Sequence, residues 1–257
     1  MISKEQVKVL AKEHQISEYV ILREYIQILF LKDLYEQSFA KDIFFKGGTA
    51  IRLLYGGQRF SEDLDFTVSM DEDLFVKNIS KLFSILEKQY QIRIKERKTM
   101  TGKAYLLTAT TSFLSAPVYV SLDFSMREDV KQPKKNILKT NFPIVLQNYI
   151  YSLSKDEIFA EKVRAFMKRE KSRDLYDLWI LQELGAQMDL ELVKEKFVYY
   201  GEDFPASSLV ERLDVFKKND FEKDLKQFLP INERIKLGEL FDYIQEYLEK
   251  TFSALPS

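Results

Sequence analysis

The apolar residues of this chain change their spacing once, and that change limits the fold more than any other feature. Before residue 127 there are five short runs with strand character: "DIFF" (42–45), "DLDFTV" (63–68), "QIRIKER" (91–97), "AYLLTATT" (104–111) and "VYVSLDFSM" (118–126). From Ser154 onward the spacing is helical almost to the end, in "KDEIFAEKVRAFMKRE" (155–170), "RDLYDLWILQEL" (173–184) and later amphipathic stretches. Helices are interleaved with the early strands. Residues 18–40 read as an amphipathic helix with Ser17 as N-cap, "AIRLLY" starts another, and 71–90 has helical spacing with an acidic first turn that suits the helix dipole. Strands and helices first, then helices alone, predict an α+β lobe followed by an α-helical lobe. A chain of 257 residues is long enough for both, and the division is expected at 1–150, N-terminal helices included, and 151–257.

One window inside the first lobe is unusual in composition. "FKGGTAIRLLYGGQRFSEDLDF" (45–66) holds four of the eight glycines and then two aspartates one residue apart. Clustered glycine implies a close approach of the backbone to something. A strand, then Gly47-Gly48-Thr49, then a helix start can bring backbone N–H groups and a helix N-terminus to a phosphate, with Thr49 adding a hydroxyl or a helix cap. The same residues also fit a plain strand-to-helix turn, and the pattern is neither a Walker A motif nor GxGxxG. Gly56-Gly57 reads as a helix stop and loop.

Asp63 and Asp65 flank Leu64, so in a strand both carboxylates project from one face while Leu64 and Phe66 pack behind. Two like charges side by side need a cation between them, and a divalent metal is the natural neutraliser; a solvated strand edge is the plainer alternative. A second "LDF" at 122–124 places Asp123 beside Ser121, opposite the face of Val118, Val120, Leu122 and Phe124. If that strand neighbours "DLDF", Asp123 completes a cluster of three carboxylates able to hold metal and take a proton from an attacking hydroxyl.

The rest of the composition narrows the chemistry. There is no cysteine, and the single histidine, His14, lies in a polar stretch and reads as a surface residue. Thiolate chemistry, cysteine-based zinc and disulfides are excluded, and His-dependent triads and His-rich sites have no basis. Oxygen donors alone suit Mg²⁺ or Mn²⁺. No apolar run reaches bilayer length, and "MISKEQVKVLAKEHQ" lacks the apolar block of a signal peptide, so a cytoplasmic protein with no membrane partner is expected. The net charge is −1, yet basic strips stand out at 93–98, 131–139 and 162–173, which are either solvated faces or contacts for a polyanion.

Two features of the helical half add to this. Phe159, Lys162, Val163 and Phe166 share one helical stripe, so Lys162 must either snorkel outward or meet an anion. Asp174 and Asp177 lie one turn apart at the start of "RDLYDLWILQEL"; Asp174 can cap the helix, and Asp177 can pair with a neighbour such as Arg173. The basic residues Arg164, Lys168, Arg169 and Lys171 can guide an RNA backbone or face solvent.

In motif order over about residues 17–185, the chain resembles the polymerase-β-like nucleotidyltransferases, and within them the AbiEii/AbiGii-type toxin family. The resemblance rests on "FKGGTAIRLLYGGQRFSEDLDF", "EIFAEKVRAF" and "RDLYDLW". It implies a nucleotidyltransferase fold built on a mixed β-sheet, Mg²⁺, an NTP as donor and an RNA acceptor such as the 3′ end of tRNA. It also implies the toxin role of a toxin–antitoxin or abortive-infection, antiviral defence system, with a cognate antitoxin. By resemblance, Gly47, Gly48 and Thr49 hold the triphosphate, Asp63 and Asp65 bind metal, and Arg59 and Ser61 lead into that motif and orient it or touch phosphate. Lys162 matches the lysine of the third motif and Asp174 with Asp177 the acidic fourth. Asp123 falls where the wider superfamily has its third carboxylate. Two other readings stay open: transfer to a protein or small-molecule hydroxyl, and an inactive member that binds nucleotide or a partner.

Overall fold

The computed structural model describes residues 2–99 and 101–255. The chain divides into two compact units: one takes in the chain up to Leu54 together with Phe60–Ser154, the other Tyr55–Arg59 and the chain from Lys155 on.

The first unit is a sheet with helices. Its strands are β1 (Ile43–Lys46), β2 (Asp63–Val68), β3 (Ile92–Arg97), β4 (Lys103–Ala109), β5 (Val118–Ser125), β6 (Pro133–Asn136) and β7 (Ile150–Leu153), arranged in the order β3-β4-β5-β2-β1-β7-β6. The β2–β5 and β1–β7 pairs are parallel and the others antiparallel, giving the mixed sheet expected of this fold class. Helices α1 (Lys4–Glu13), α2 (Glu18–Tyr35), α3 (Gly47–Tyr55) and α4 (Glu72–Gln89) complete it. Ser17 and Asp71 cap α2 and α4 by accepting from the backbone N–H groups of Val20 and Leu74.

One face of the sheet is the core. Phe45, Phe66 and Phe124 lie side by side across β1, β2 and β5, with ring centroids 5.5 and 4.8 Å apart. Phe30 of α2 packs over Phe66 and Phe75 of α4 over Phe124. Each aromatic ring here buries enough surface to contribute roughly 2–3 kcal/mol.

Helix α2 departs from the amphipathic reading: it is buried almost all round and stops at Tyr35, with a 3₁₀ turn over Ser38–Asp42. Its polar residues are not a solvent face. Glu24 pairs with Arg52, Arg23 with Glu62 at 3.1 Å, and the Gln27 amide donates to the Ser61 carbonyl at 3.2 Å. His14 is likewise half-buried rather than on the surface, set edge-on to Phe60 at 6.1 Å. Strands β6 and β7, which the apolar spacing does not announce, are tied in by the Tyr35 hydroxyl, which lies between the carbonyls of Ile43 and Tyr151.

The second unit is helical: α5 (Lys155–Lys168), α6 (Ser172–Glu183), α7 (Leu190–Val198), α8 (Leu209–Leu213), α9 (Lys218–Leu225), α10 (Ile231–Arg234) and α11 (Leu237–Ser253). Its core includes Phe166 stacked on Phe216 at 5.2 Å, and a buried Lys196 paired with Glu157 at 2.8 Å. Among the described residues, no helix is long and apolar enough to cross a membrane.

Candidate active site

The glycine turn and the aspartate pair are one piece of structure. Gly47, where β1 passes into α3, has φ +79°, a conformation that favours glycine, and a Cβ there would lie 2.9 Å from Cγ of Asp65. The Asp65 carboxyl therefore rests directly against the Gly47 backbone. Thr49 is fully buried and donates its hydroxyl to the Asp63 carbonyl, which ties α3 to β2. Its side-chain proton is thus committed to the framework. A phosphate at this turn would draw on backbone N–H groups instead. Gly56 follows α3 with φ +86° and stops the helix.

Register explains how the acids meet. Lys46 lies opposite Asp65, Asp65 opposite Asp123, Asp123 opposite Ala104 and Ala104 opposite Arg97. Directly paired residues point to the same side of a sheet. One polar row, Lys46–Asp65–Asp123–Ala104–Arg97, therefore crosses five strands on the face opposite the phenylalanines. Asp63 sits one pleat along, opposite Ser121. The expected neighbourhood of β2 and β5 is what the sheet contains, with Asp65 and Asp123 side by side.

The electrostatics of the row are those of crowded acids. Asp123 is pushed above the ordinary aspartate value, first by partial loss of water and then by the negative charge of Asp63; the Arg97 guanidinium opposes both. Arg97 reaches over the small Ala104 to donate to the Ser121 hydroxyl at 3.3 Å. At the other end, the buried Lys46 lies 3.7 Å from the buried Glu128.

Among the described residues, no group of three or more His, Cys, Asp or Glu side chains is placed to hold a metal ion. The donor set is nonetheless the right kind for a hard cation. Mg²⁺ takes one or two carboxylates and fills its remaining positions with water and substrate phosphate. Asp65 and Asp123, with Asp63 beside them, fit that requirement.

Arg59, Lys162, Asp174 and Asp177 form a second cluster, within the helical unit. Arg59 makes a bidentate pair with Asp177, at 2.7 and 2.6 Å. Lys162 lies 2.7 Å from Asp177 and 2.9 Å from Asp174, and Arg169 contacts Asp174 at 2.6 Å. Lys162 thus meets anions rather than snorkelling, and those anions are protein carboxylates. Burial works against charge on Asp177, but Arg59 and Lys162 outweigh it and hold its pKa below the ordinary range. Asp174 is lowered as well: burial opposes its charge, but Lys162 and Arg169 prevail. Lys162 is raised, because the two aspartates overcome the cost of burying it.

Asp177 does not pair with Arg173, which binds Asp224 instead. Asp174 is not an N-cap either, since α6 begins at Ser172 and Asp174 is buried inside its first turn. The Ser61 carbonyl accepts from Gln27, so Ser61 helps fix the loop before β2.

Sequence reasoning passed over Lys46, although "FKGGT" placed it one residue before the glycines. Arg97 stood out only as part of a basic strip. Strand register was the missing signal in both cases.

Residues 29–249 match the family model described as "Nucleotidyl transferase AbiEii toxin, Type IV TA system". The chain belongs to that family. It is therefore a nucleotidyltransferase of the AbiEii toxin type, and membership brings an NTP substrate and a cognate antitoxin. No curated protein matches the chain. Among solved structures, the fold is similar to that of the MenT4 nucleotidyltransferase toxin from Mycobacterium tuberculosis, with a TM-score of 0.69 and 17% identity over 100% of this chain and 91% of that one. It is also similar to JHP933 from Helicobacter pylori, with a TM-score of 0.54 and 22% identity over 92% of this chain and 96% of that one. At these identities the likeness concerns the fold of the AbiEii chain.

Proposed function

We propose that this AbiEii-family enzyme transfers a nucleoside monophosphate from an NTP to a hydroxyl of an RNA acceptor, the 3′ end of tRNA, with Mg²⁺ in the acid row, and that it acts in the cytoplasm as the toxin of a phage-defence system. The observation that carries the chemistry is the juxtaposition of the Gly47 turn, Asp65 and Asp123 on one sheet face.

The acceptor hydroxyl attacks the α-phosphorus, a new P–O bond forms, and the bond to pyrophosphate breaks. Asp63 and Asp65, with Asp123 assisting, are the residues that would hold the metal, which would supply charge neutralisation at the phosphates and the leaving group. Asp123, beside Asp65 on the neighbouring strand, is the carboxylate assigned to receive the proton of the attacking hydroxyl. Backbone N–H groups at Gly47 and Gly48 cradle the triphosphate, and Thr49 fixes that turn through Asp63. Lys46, on the same face as Asp65, is paired with the buried Glu128, so its charge is balanced within the protein and steadies that end of the row.

In the helical unit, we assign Arg59, Lys162, Asp174 and Asp177 to a buried ionic network that positions α5 and α6. Lys162 contacts phosphate only by exchanging one of its two aspartates for it.

The test is to incubate the protein with total cellular RNA, Mg²⁺ and each labelled NTP in turn, wild type beside Asp65→Ala. Labelled tRNA from the wild type alone is expected. Equal labelling by both would sink the site assignment, and label appearing on protein or small molecules with none on RNA would sink the acceptor.

A further inference from the structure

The reaction proposed above needs a surface that brings a polynucleotide end to Asp123, and the open sheet face carries one. Strand β3 ends the sheet beyond β4. Its register with β4 and β5 aligns Arg97 with Ala104 and Asp123, Lys95 with Leu106 and Ser121, and Arg93 with Thr108 and Tyr119. Arg93, Lys95 and Arg97 therefore point to the same side as the acid row, and all three are exposed. The one acid of the strand, Glu96, alternates to the opposite side. The nearby Glu87 is occupied by the Ile94 N–H at 2.7 Å.

We infer that Arg93, Lys95 and Arg97 form a track for the phosphodiester backbone of a single-stranded RNA acceptor, running along β3 and delivering its terminal hydroxyl to Asp123. This deepens the reading of the chain as an RNA-modifying enzyme and rests on it. Three observations fit the occupant. Alternate residues of an antiparallel strand repeat about every 6.8 Å, so successive phosphates of an extended strand can each meet one cation. The track lies two strand spacings, about 10 Å, from Asp123 and meets the acid row at Arg97. The acids beside it repel a broad anionic surface such as a membrane, whereas a chain end presents a neutral hydroxyl to them. Arg97, held over Ala104 by Ser121, marks where track and acid row join.

Contacts of this kind are read by salt. Each phosphate neutralised on a single strand contributes about 0.7 to the slope of log affinity against log salt. The experiment measures binding of a fluorescein-labelled 12-nucleotide RNA with a free 3′ hydroxyl, by anisotropy, in EDTA, from 50 to 300 mM KCl. The Arg93→Ser/Lys95→Ser double variant is expected to lower the slope by about 1.4 and weaken binding at every salt concentration. Arg93→Lys/Lys95→Arg keeps the charges and is expected to keep the slope. Calorimetric binding of a non-hydrolysable NTP with Mg²⁺ is expected to be equal in all three proteins. An unchanged slope in the serine variant, with the wild type binding RNA, overturns the track and leaves the RNA reading standing. A wild type that ignores RNA but labels another acceptor overturns both. Loss of binding to phosphatidylserine vesicles, with RNA binding intact, assigns the strip to membranes and overturns the track.

Discussion

The contact between Gly47 and Asp65 makes Gly47→Ala the sharpest single test of the site. Two effects are expected from this one methyl group. The first is conformational: an alanine held at φ +79° meets the steric penalty of the left-handed region, about 1–2 kcal/mol. For a chain of this size that lowers the melting temperature by roughly 2–8 °C. The second is local. The added Cβ would lie 2.9 Å from Cγ of Asp65, whereas ordinary contact begins at 3.4 Å. The carboxyl carbon must withdraw by about half an ångström and its nearer oxygen by more. A misplacement of about 1 Å at a reacting centre costs on the order of 100-fold in rate, so a loss of about 10- to 100-fold in nucleotide transfer is expected. Thermal melting and initial rates of labelled-NTP incorporation, measured on the same preparation, separate the two effects. Full activity with an unperturbed melt would refute the placement of Asp65 against the turn. A lowered melt with full activity would refute its role in the chemistry.

Four further outcomes follow from the described contacts. Asp177→Ala leaves Arg59 and Lys162 buried with one partner fewer and is expected to lower stability by about 3–5 kcal/mol in urea unfolding, whereas Arg59→Met/Asp177→Leu recovers much of that. Asp174 and Asp177 have folded pKa values below their unfolded ones, so the stability they contribute is present above about pH 4 and is lost as pH falls through the folded values; urea midpoints measured down to pH 2 should show this, with a shallower acid decline in Asp177→Asn. Arg97 holds the Asp123 pKa down, so Arg97→Gln is expected to move the acid limb of the transfer-rate profile to higher pH; an unmoved limb would rule out Asp123 as the base. Removing divalent metal with EDTA is expected to abolish transfer and Mg²⁺ to restore it, as read by labelled-RNA yield.

Local structure was largely legible because it is written in local spacing. The five early strands, the cap at Ser17, the Gly56 helix stop and the shared face of Asp63 and Asp65 all depend on residues a few positions apart. Strands β6 and β7 escaped notice because neither alternates clearly; they exist through pairing with each other and with β1. Helix α2 is not amphipathic: its charged residues gather on no single face, and their partners, such as Arg52 and Glu62, come from another stretch of chain. The same limit hid the pairing of Arg59 with Asp177, 118 positions apart. The resemblance singles out the residues of this helical cluster, and only the fold shows that they are bound to one another.

The row of acids also sets a clock. Asp65 and Asp123 are 58 positions apart and become neighbours only when β2 and β5 close a parallel pair, a non-local step that is slow compared with forming helices. Strand β1, which carries Lys46 and leads into the Gly47 turn, is flanked on its other side by β7, made last of the seven. A chain still emerging from the ribosome therefore carries every residue of the glycine turn long before it carries a working site. With the site proposed above, catalytic competence arrives only with the finished sheet. A premature stop anywhere before β5 leaves a fragment that lacks Asp123.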